Sequence, residues 1–288
     1  MDQFDITLPE TLTPEQCEAV LRHLEAPATL STADWQLALA GFDALRVATV
    51  TWSGQTGSFR QFYREVVDEP YATHLLTMIH QADDVEGVGR QLTVEFGREI
   101  LVELQRLGGG EPQTFPEQLL LAYCLYWWQS FAKGYIFQFV VYRDLTASGV
   151  QFDGIDPLNP EQRYAPHDLM VSGWRGDIKA STYFVHTARG AGFTHDFYIA
   201  RFFDLARRTY RWAVLLKESV WNTLNGDPMS CDWNEVPRLW PQPARVMVHH
   251  QALVIVPYDV WKGKILAYQK GDRHHGRSNT QSPGRKEI

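Results

Sequence analysis

Residues 166–182 read Pro-His-Asp-Leu-Met-Val-Ser-Gly-Trp-Arg-Gly-Asp-Ile-Lys-Ala-Ser-Thr. A run over 168–172, a glycine-bounded turn at 173–176 and a β-rich run from Asp177 to about 186 predict two strands joined by a turn. Side chains alternate between the faces of a strand, so Asp177 and Lys179 share one face. Asp168 leads the preceding strand. A tight four-residue turn over 173–176 sets Asp168 opposite Ser181, with Asp177 four residues away along the strand. A carboxylate and an amine projected together, with a second carboxylate from the neighbouring strand, suit phosphodiester hydrolysis. The acids hold a divalent cation that stabilises charge on the phosphate, and the amine positions or polarises the attacking water.

C-terminal to this segment, 197–203 and 209–216 predict a hairpin around 204–208. Residues 218–224 predict a short helix, 246–256 a strand or strand pair, and 258–269 a closing helix. The polar stretch 271–288, with His274 and His275, is expected to be a disordered tail. On the N-terminal side, 144–166 is turn-rich and 135–143 (YIFQFVVYR) predicts a strand after Gly134. Pro116 opens a helix to about Lys133 that is apolar nearly all round and therefore buried. Residues 94–107 form a further helix, stopped by Gly108-Gly109-Gly110. Thr13-Pro14-Glu15-Gln16 begins a helix to about Glu25. Residues 45–52 are strand-like with a turn at 54–57, and 59–67 and 71–80 are helical. Helices first and strands later give an α/β (α+β) fold, a mixed sheet flanked by helices after a mostly helical N-terminal region. The expected division is 1–85 as an accessory helical region, 86–270 as an α/β domain, and 271–288 as tail.

The strand–turn–strand segment resembles the PD-(D/E)xK nuclease superfamily, which includes many restriction enzymes and repair nucleases. Asp168 matches the first acid, Asp177 the second and Lys179 the lysine. The resemblance implies a restriction-endonuclease-like core and a Mg²⁺ (or Mn²⁺) ion held by Asp168 and Asp177, with Lys179 orienting or activating water. Ser181 and Thr182 are of a type that touches phosphate there, and an upstream helix glutamate sometimes joins the site, for which Glu117 and Glu99 are candidates. It implies an endonuclease or other DNA hydrolase, in defence or repair, and a possible homodimer among nucleases that cut both strands. Arg175, Arg201, Arg207 and Arg208 are the expected DNA-contacting cations.

Composition bounds these expectations. The 288-residue chain, 44% hydrophobic and 21% charged, is that of a folded protein. Its net charge of −7 argues against loose nucleic-acid binding, yet the charge is unevenly spread. Residues 1–120 contain 19 acids against 7 arginines, whereas 161–217 contain 9 basic and 5 acidic residues. The acidic N-terminal region is thus a candidate surface for a protein partner. Cys17, Cys124 and Cys231 are widely spaced with no CxxC, which argues against a disulfide framework or structural zinc. The first residues lack the order of a signal peptide, and the longest apolar stretch, 119–128, is far short of the roughly 18–20 residues of a membrane span. The expectation is a cytoplasmic protein.

Two further readings come from other residues. One is a non-catalytic nucleic-acid- or protein-binding module whose aspartates are ordinary polar strand residues. The other is a hydrolase using a histidine–aspartate site at His195-Asp196. His186, His249 and His250 match no ligand spacing. Glu95, Glu99 and Glu103 share a helix face that reads as a solvated acidic surface. Convergence of both aspartates and Lys179 in a cleft with Arg175, Arg201 and Arg207 separates the enzyme from the binding module.

Overall fold

The computed structural model describes residues 4–25, 32–110, 114–181, 184–187, 192–204 and 209–276. The chain forms two compact units that divide after Ile136. The boundary expected at residue 85 falls inside the first of them, at the start of a helix.

The first unit has a three-stranded antiparallel sheet of β1 (Asp5–Thr7), β2 (Thr49–Trp52) and β3 (Gln55–Ser58). Helices α1 (Pro14–Glu25) and α2 (Thr32–Leu45) lie between β1 and β2 in the chain. The strand expected over 45–52 is shorter, because Leu45 is still the last residue of α2. After β3 come α3 (Phe59–Tyr63), a π-helical stretch Arg64–Ala72, α4 (Thr73–Gln81) and α5 (Val85–Leu107). α5 starts well before residue 94, since Asp84 Oδ1 accepts the Gly87 N–H at 2.8 Å and caps the helix there.

Helix α6 (Phe115–Ala147) overturns the strand expected over 135–143. The run is rich in aromatic and β-branched residues, but Phe137, Val141 and Leu145 are all buried in one core cluster at a spacing of four. That spacing is one helical face, and its burial outweighs a β-propensity that spans only about 1 kcal/mol. Gly134 does not stop the helix.

The second unit is built on an eight-stranded mixed sheet. Its strands are β4 (Asp153–Gly154), β5 (Leu169–Val171), β6 (Trp174–Lys179), β7 (Phe197–Asp204), β8 (Thr209–Lys217), β9 (Met229–Ser230), β10 (Ala244–Val248) and β11 (Gln251–Pro257), in the order β4-β5-β6-β7-β8-β11-β10-β9. β6 and β7 run parallel, as do β9 and β10, and the other neighbours are antiparallel. Short helices α7 (Phe184–Thr187), α8 (Glu218–Thr223) and α9 (Val236–Leu239) connect strands, and α10 (Tyr258–Gly276) closes the unit. The expected tail begins too early, because α10 continues through Gly276; residues 277–288 lie outside the described part.

Alternation along the strands sorts the core onto two faces. Ile178, Phe197, Ile199, Val214 and Leu216 pack with Val141 and Leu145 of α6 and Trp261 of α10. Tyr198, Ala200, Ala213 and Leu215 face the other way, with Val185 and Phe193 from the segment after β6. Asp177 and Lys179 lie on this second face, by register with Tyr198 and Ala200. Among the described residues no helix is long and apolar enough to cross a membrane, and Cys17, Cys124 and Cys231 are free thiols.

Candidate active site

The hairpin between β5 and β6 turns on two residues, Ser172 (φ 52°) and Gly173 (φ 83°). Two successive positive φ values suit the right-handed twist of the flanking strands. β6 therefore begins at Trp174 and ends at Lys179, in place of the 177–186 strand that was expected. The shorter turn changes the register: Leu169 pairs with Gly176 and Val171 with Trp174. One step further along, Asp168 comes opposite Asp177, not opposite Ser181.

Local bonding then directs the Asp168 side chain. Its N–H donates to Gly176 O at 3.1 Å, and its Oδ2 accepts the Ile178 N–H at 2.6 Å. The carboxylate thus takes the place of the next backbone partner, beside Asp177. The Asp168 carbonyl is held from behind by the Tyr142 hydroxyl, which in turn accepts from buried Gln138 at 2.9 Å. Gly176 has a separate reason to be glycine, since a Cβ there would stand 2.1 Å from the Phe197 ring.

Asp177 is 13% exposed and pairs with Lys179 Nζ at 2.6 Å. Burial, followed by hydrogen-bond contact with Asp177 and the Asp177 charge, pushes the Asp168 carboxyl up to about 8; the Ile178 N–H and Lys179 work against this. Burial and the neighbouring acid both oppose negative charge on Asp168.

The segment after β6 returns to the same place. His195 Nε2 is 2.6 Å from Pro166 O, two residues before Asp168, and its Nδ1 is 3.9 Å from Asp177 Oδ2. The Tyr198 hydroxyl accepts the His195 N–H at 3.1 Å and lies 3.2 Å from Nδ1. Tyr198 pairs with Asp177 across β6 and β7, and Phe184 stacks on its ring at 4.9 Å. Tyr198 had no sequence signal, because its neighbour in the sheet is separated from it by a 17-residue connection.

His195 and Asp196 do not form the paired site considered from the sequence. Asp196 accepts the Arg175 N–H at 3.0 Å and pairs with Lys217 at 3.0 Å. Burial works to raise its carboxyl, and these partners outweigh it and hold the group below its usual value. Asp196 fastens β6, β7 and β8 together, while His195 belongs with Asp177. His249 Nε2 bonds to Val185 O at 2.8 Å and holds α7.

The expected DNA-contacting cations do not all converge. Arg175 is exposed and shares the face of Asp177 and Lys179, and Ser181 is exposed two residues beyond Lys179. Arg201 is on the opposite face, its guanidinium 4.5 Å from the Phe137 ring centroid, because odd-numbered positions of β7 point towards the core shared with α6. Thr182, Arg207 and Arg208 lie outside the described residues. Arg211 is on the Asp177 face, over Trp240. Glu117 and Glu99 belong to the first unit; Glu117 accepts from Thr114 N–H at 3.0 Å in a helix cap.

Among the described residues, no group of three or more His, Cys, Asp or Glu side chains is already arranged to hold a metal. Two adjoining carboxylates are nevertheless a fit for Mg²⁺, which takes one or two carboxylates and completes its shell with water and phosphate oxygens. A buried carboxylate in contact with a second acid is a place where positive charge is favoured. No protein-family model, curated protein or solved structure matches the chain.

Proposed function

We propose that the chain is a divalent-metal-dependent nuclease with a restriction-endonuclease-like second unit, hydrolysing phosphodiester bonds in DNA. The observation that carries this reading is the register of the β5–β6 hairpin, which sets Asp168 against Asp177 with Lys179 2.6 Å away on the same strand face.

Asp168 and Asp177 would hold Mg²⁺ or Mn²⁺, which when bound supplies Lewis acidity and neutralises charge on the phosphate. The Ile178 N–H fixes Asp168 by bonding its Oδ2, which leaves Oδ1 as the oxygen for an ion. Lys179 is 39% exposed, open enough to reach a water or phosphate oxygen while Asp177 orients it. Arg175, exposed two residues before Asp177, is placed to meet the phosphate backbone by charge alone.

The binding-module reading has one observation in its favour: Arg201, expected at the groove, lies over the Phe137 ring on the other face of the sheet. The two readings separate in a cleavage assay on mixed linear, circular and branched DNA with Mg²⁺ or Mn²⁺. Asp177→Asn and Lys179→Met are expected to lower cleavage by about 10²-fold or more. Wild type that binds DNA without cutting it under any of these conditions favours the binding module.

A further inference from the structure

We propose that the gap between β8 and the start of α10 is a nucleobase pocket, which takes an unpaired base of the DNA strand a few nucleotides from the cut. The inference rests on the nuclease reading and deepens it, because it makes single-stranded or flap DNA the preferred substrate.

The gap follows from strand lengths. Pairing of β11 with β8 ends at Pro257, opposite Ala213, and the chain then turns into α10. β8 is longer on that side, and its residues Thr209–Trp212 continue beside β7 past the end of β11. Successive side chains of a strand point to opposite faces, so Arg211 and Trp212 flank the gap from its two sides. Trp212 packs against Phe137 and Tyr258, at ring-centroid distances of 5.1 and 5.2 Å. Trp240 meets Phe202 edge-on at 5.0 Å, with the Arg211 guanidinium 5.6 Å from its ring centroid. These side chains, with Pro257 and Asp144, line a cavity of about 470 Å³. That lies within the roughly 300–1,000 Å³ of sites that hold small organic groups.

The walls suit a base. Aromatic rings and a guanidinium offer flat surfaces to stack on, and every base has a π-face, so such platforms take unpaired strands with little regard to sequence. A base inside a duplex is already stacked on its neighbours and is closed to the pocket. A phosphate is a poorer occupant, since two carboxylates, Asp144 and Asp259, also line the cavity and oppose an anion. Asp144 is tied to Lys262 at 2.7 Å and accepts the Tyr258 hydroxyl at 2.8 Å, which holds that wall in place.

The pocket also stands at a useful distance from the acids. Lys179 pairs with Ala200, and Ala200 with Ala213, while Arg211 is opposite Phe202, one same-face step further along. Two strand spacings across and one such step along put the Cα atoms of Lys179 and Arg211 about 12 Å apart on one face of the sheet. A DNA strand covers that length in a few nucleotides.

Ultraviolet crosslinking of single-stranded oligonucleotides carrying 5-iodouracil, in chelator so that no strand is cut, tests the assignment on the wild-type protein. Mass spectrometry is expected to find the adduct on Trp240 or Trp212. In anisotropy titrations, Trp240→Ala is expected to lower the ratio of single-strand to blunt-duplex affinity about tenfold, and Trp240→Phe, which keeps a ring, to lower it much less. Absence of adducts at both tryptophans overturns the pocket, whether or not Trp240→Ala folds. So does an unchanged affinity ratio in Trp240→Ala with the circular dichroism of wild type. Metal-dependent cleavage that needs Asp177, found beside either of those results, leaves the nuclease reading standing. Adducts at the pocket of a protein that cuts no DNA with Mg²⁺ or Mn²⁺ keep the base-binding site and overturn the nuclease.

Discussion

Asp168 sits where two effects reinforce each other, since burial and the neighbouring Asp177 both oppose its negative charge and push its carboxyl up to about 8. In an unfolded chain an aspartate titrates near 3.9. A folded value raised above the unfolded one contributes stability that is fully present below about pH 4 and is lost as pH rises through about 8. Asp168→Asn cannot ionise, so in chelator it is expected to gain on wild type as pH rises, by on the order of 1–3 kcal/mol. Urea midpoints at pH 5 and pH 9 read this directly, and a difference that stays constant over that range contradicts it. The shared face of Asp177 and Lys179 was legible from a period of two alone. The company of His195 and Tyr198 was not, because β6 and β7 are parallel and their pairing depends on how the intervening connection returns, which no local spacing encodes.

At the scale of elements, the site depends on a hairpin whose turn is two residues long. The glycines at 173 and 176 marked the turn region but did not show which of them turned the chain. Gly173 does so, with φ 83°, while Gly176 lies inside β6 to make room for Phe197. Gly176→Ala would bring a methyl group within 2.1 Å of the buried Phe197 ring, so the ring or the strand must shift. It is expected to destabilise the protein by about 1–3 kcal/mol and to weaken metal binding by displacing the adjoining Asp177. Denaturant unfolding that matches wild type would contradict this. The same balance of local and tertiary signals explains α6. Its 135–143 stretch has strand-forming residues, and the helical spacing of Phe137, Val141 and Leu145 was present beneath them. The β7–β8 hairpin was legible from two neighbouring β-rich runs, whereas 246–256 read only as a strand or strand pair and is the antiparallel pair β10–β11.

Over the whole molecule, charge and fold are divided in the same sense: an acidic, mostly helical first unit and a second unit containing the locally basic segment 161–217 and the eight-stranded sheet. A substrate rich in phosphate would be met by the second unit's own charge, so binding is expected to weaken steeply as salt is raised. Order of elements gave the mixed α/β class, although the change from helix to strand comes after α6 and not at Gly134. What the pattern of elements could not supply was the strand register, and the register is what brings the two acids together.

The measurement closest to the central claim is calorimetric titration of Mg²⁺ and Mn²⁺ into chelator-treated protein at pH 7. Wild type is compared with Asp168→Asn and Asp177→Asn, in two buffers of different ionisation heat. The expected result is about one bound ion with net proton release, since the Asp168 carboxyl is held above its usual value, and loss of that binding in both variants with circular dichroism unchanged. Affinity is expected to rise with pH up to about 8 and then level off. Absence of binding to wild type, or equal binding by either variant, would contradict the assignment of Asp168 and Asp177 as a metal centre.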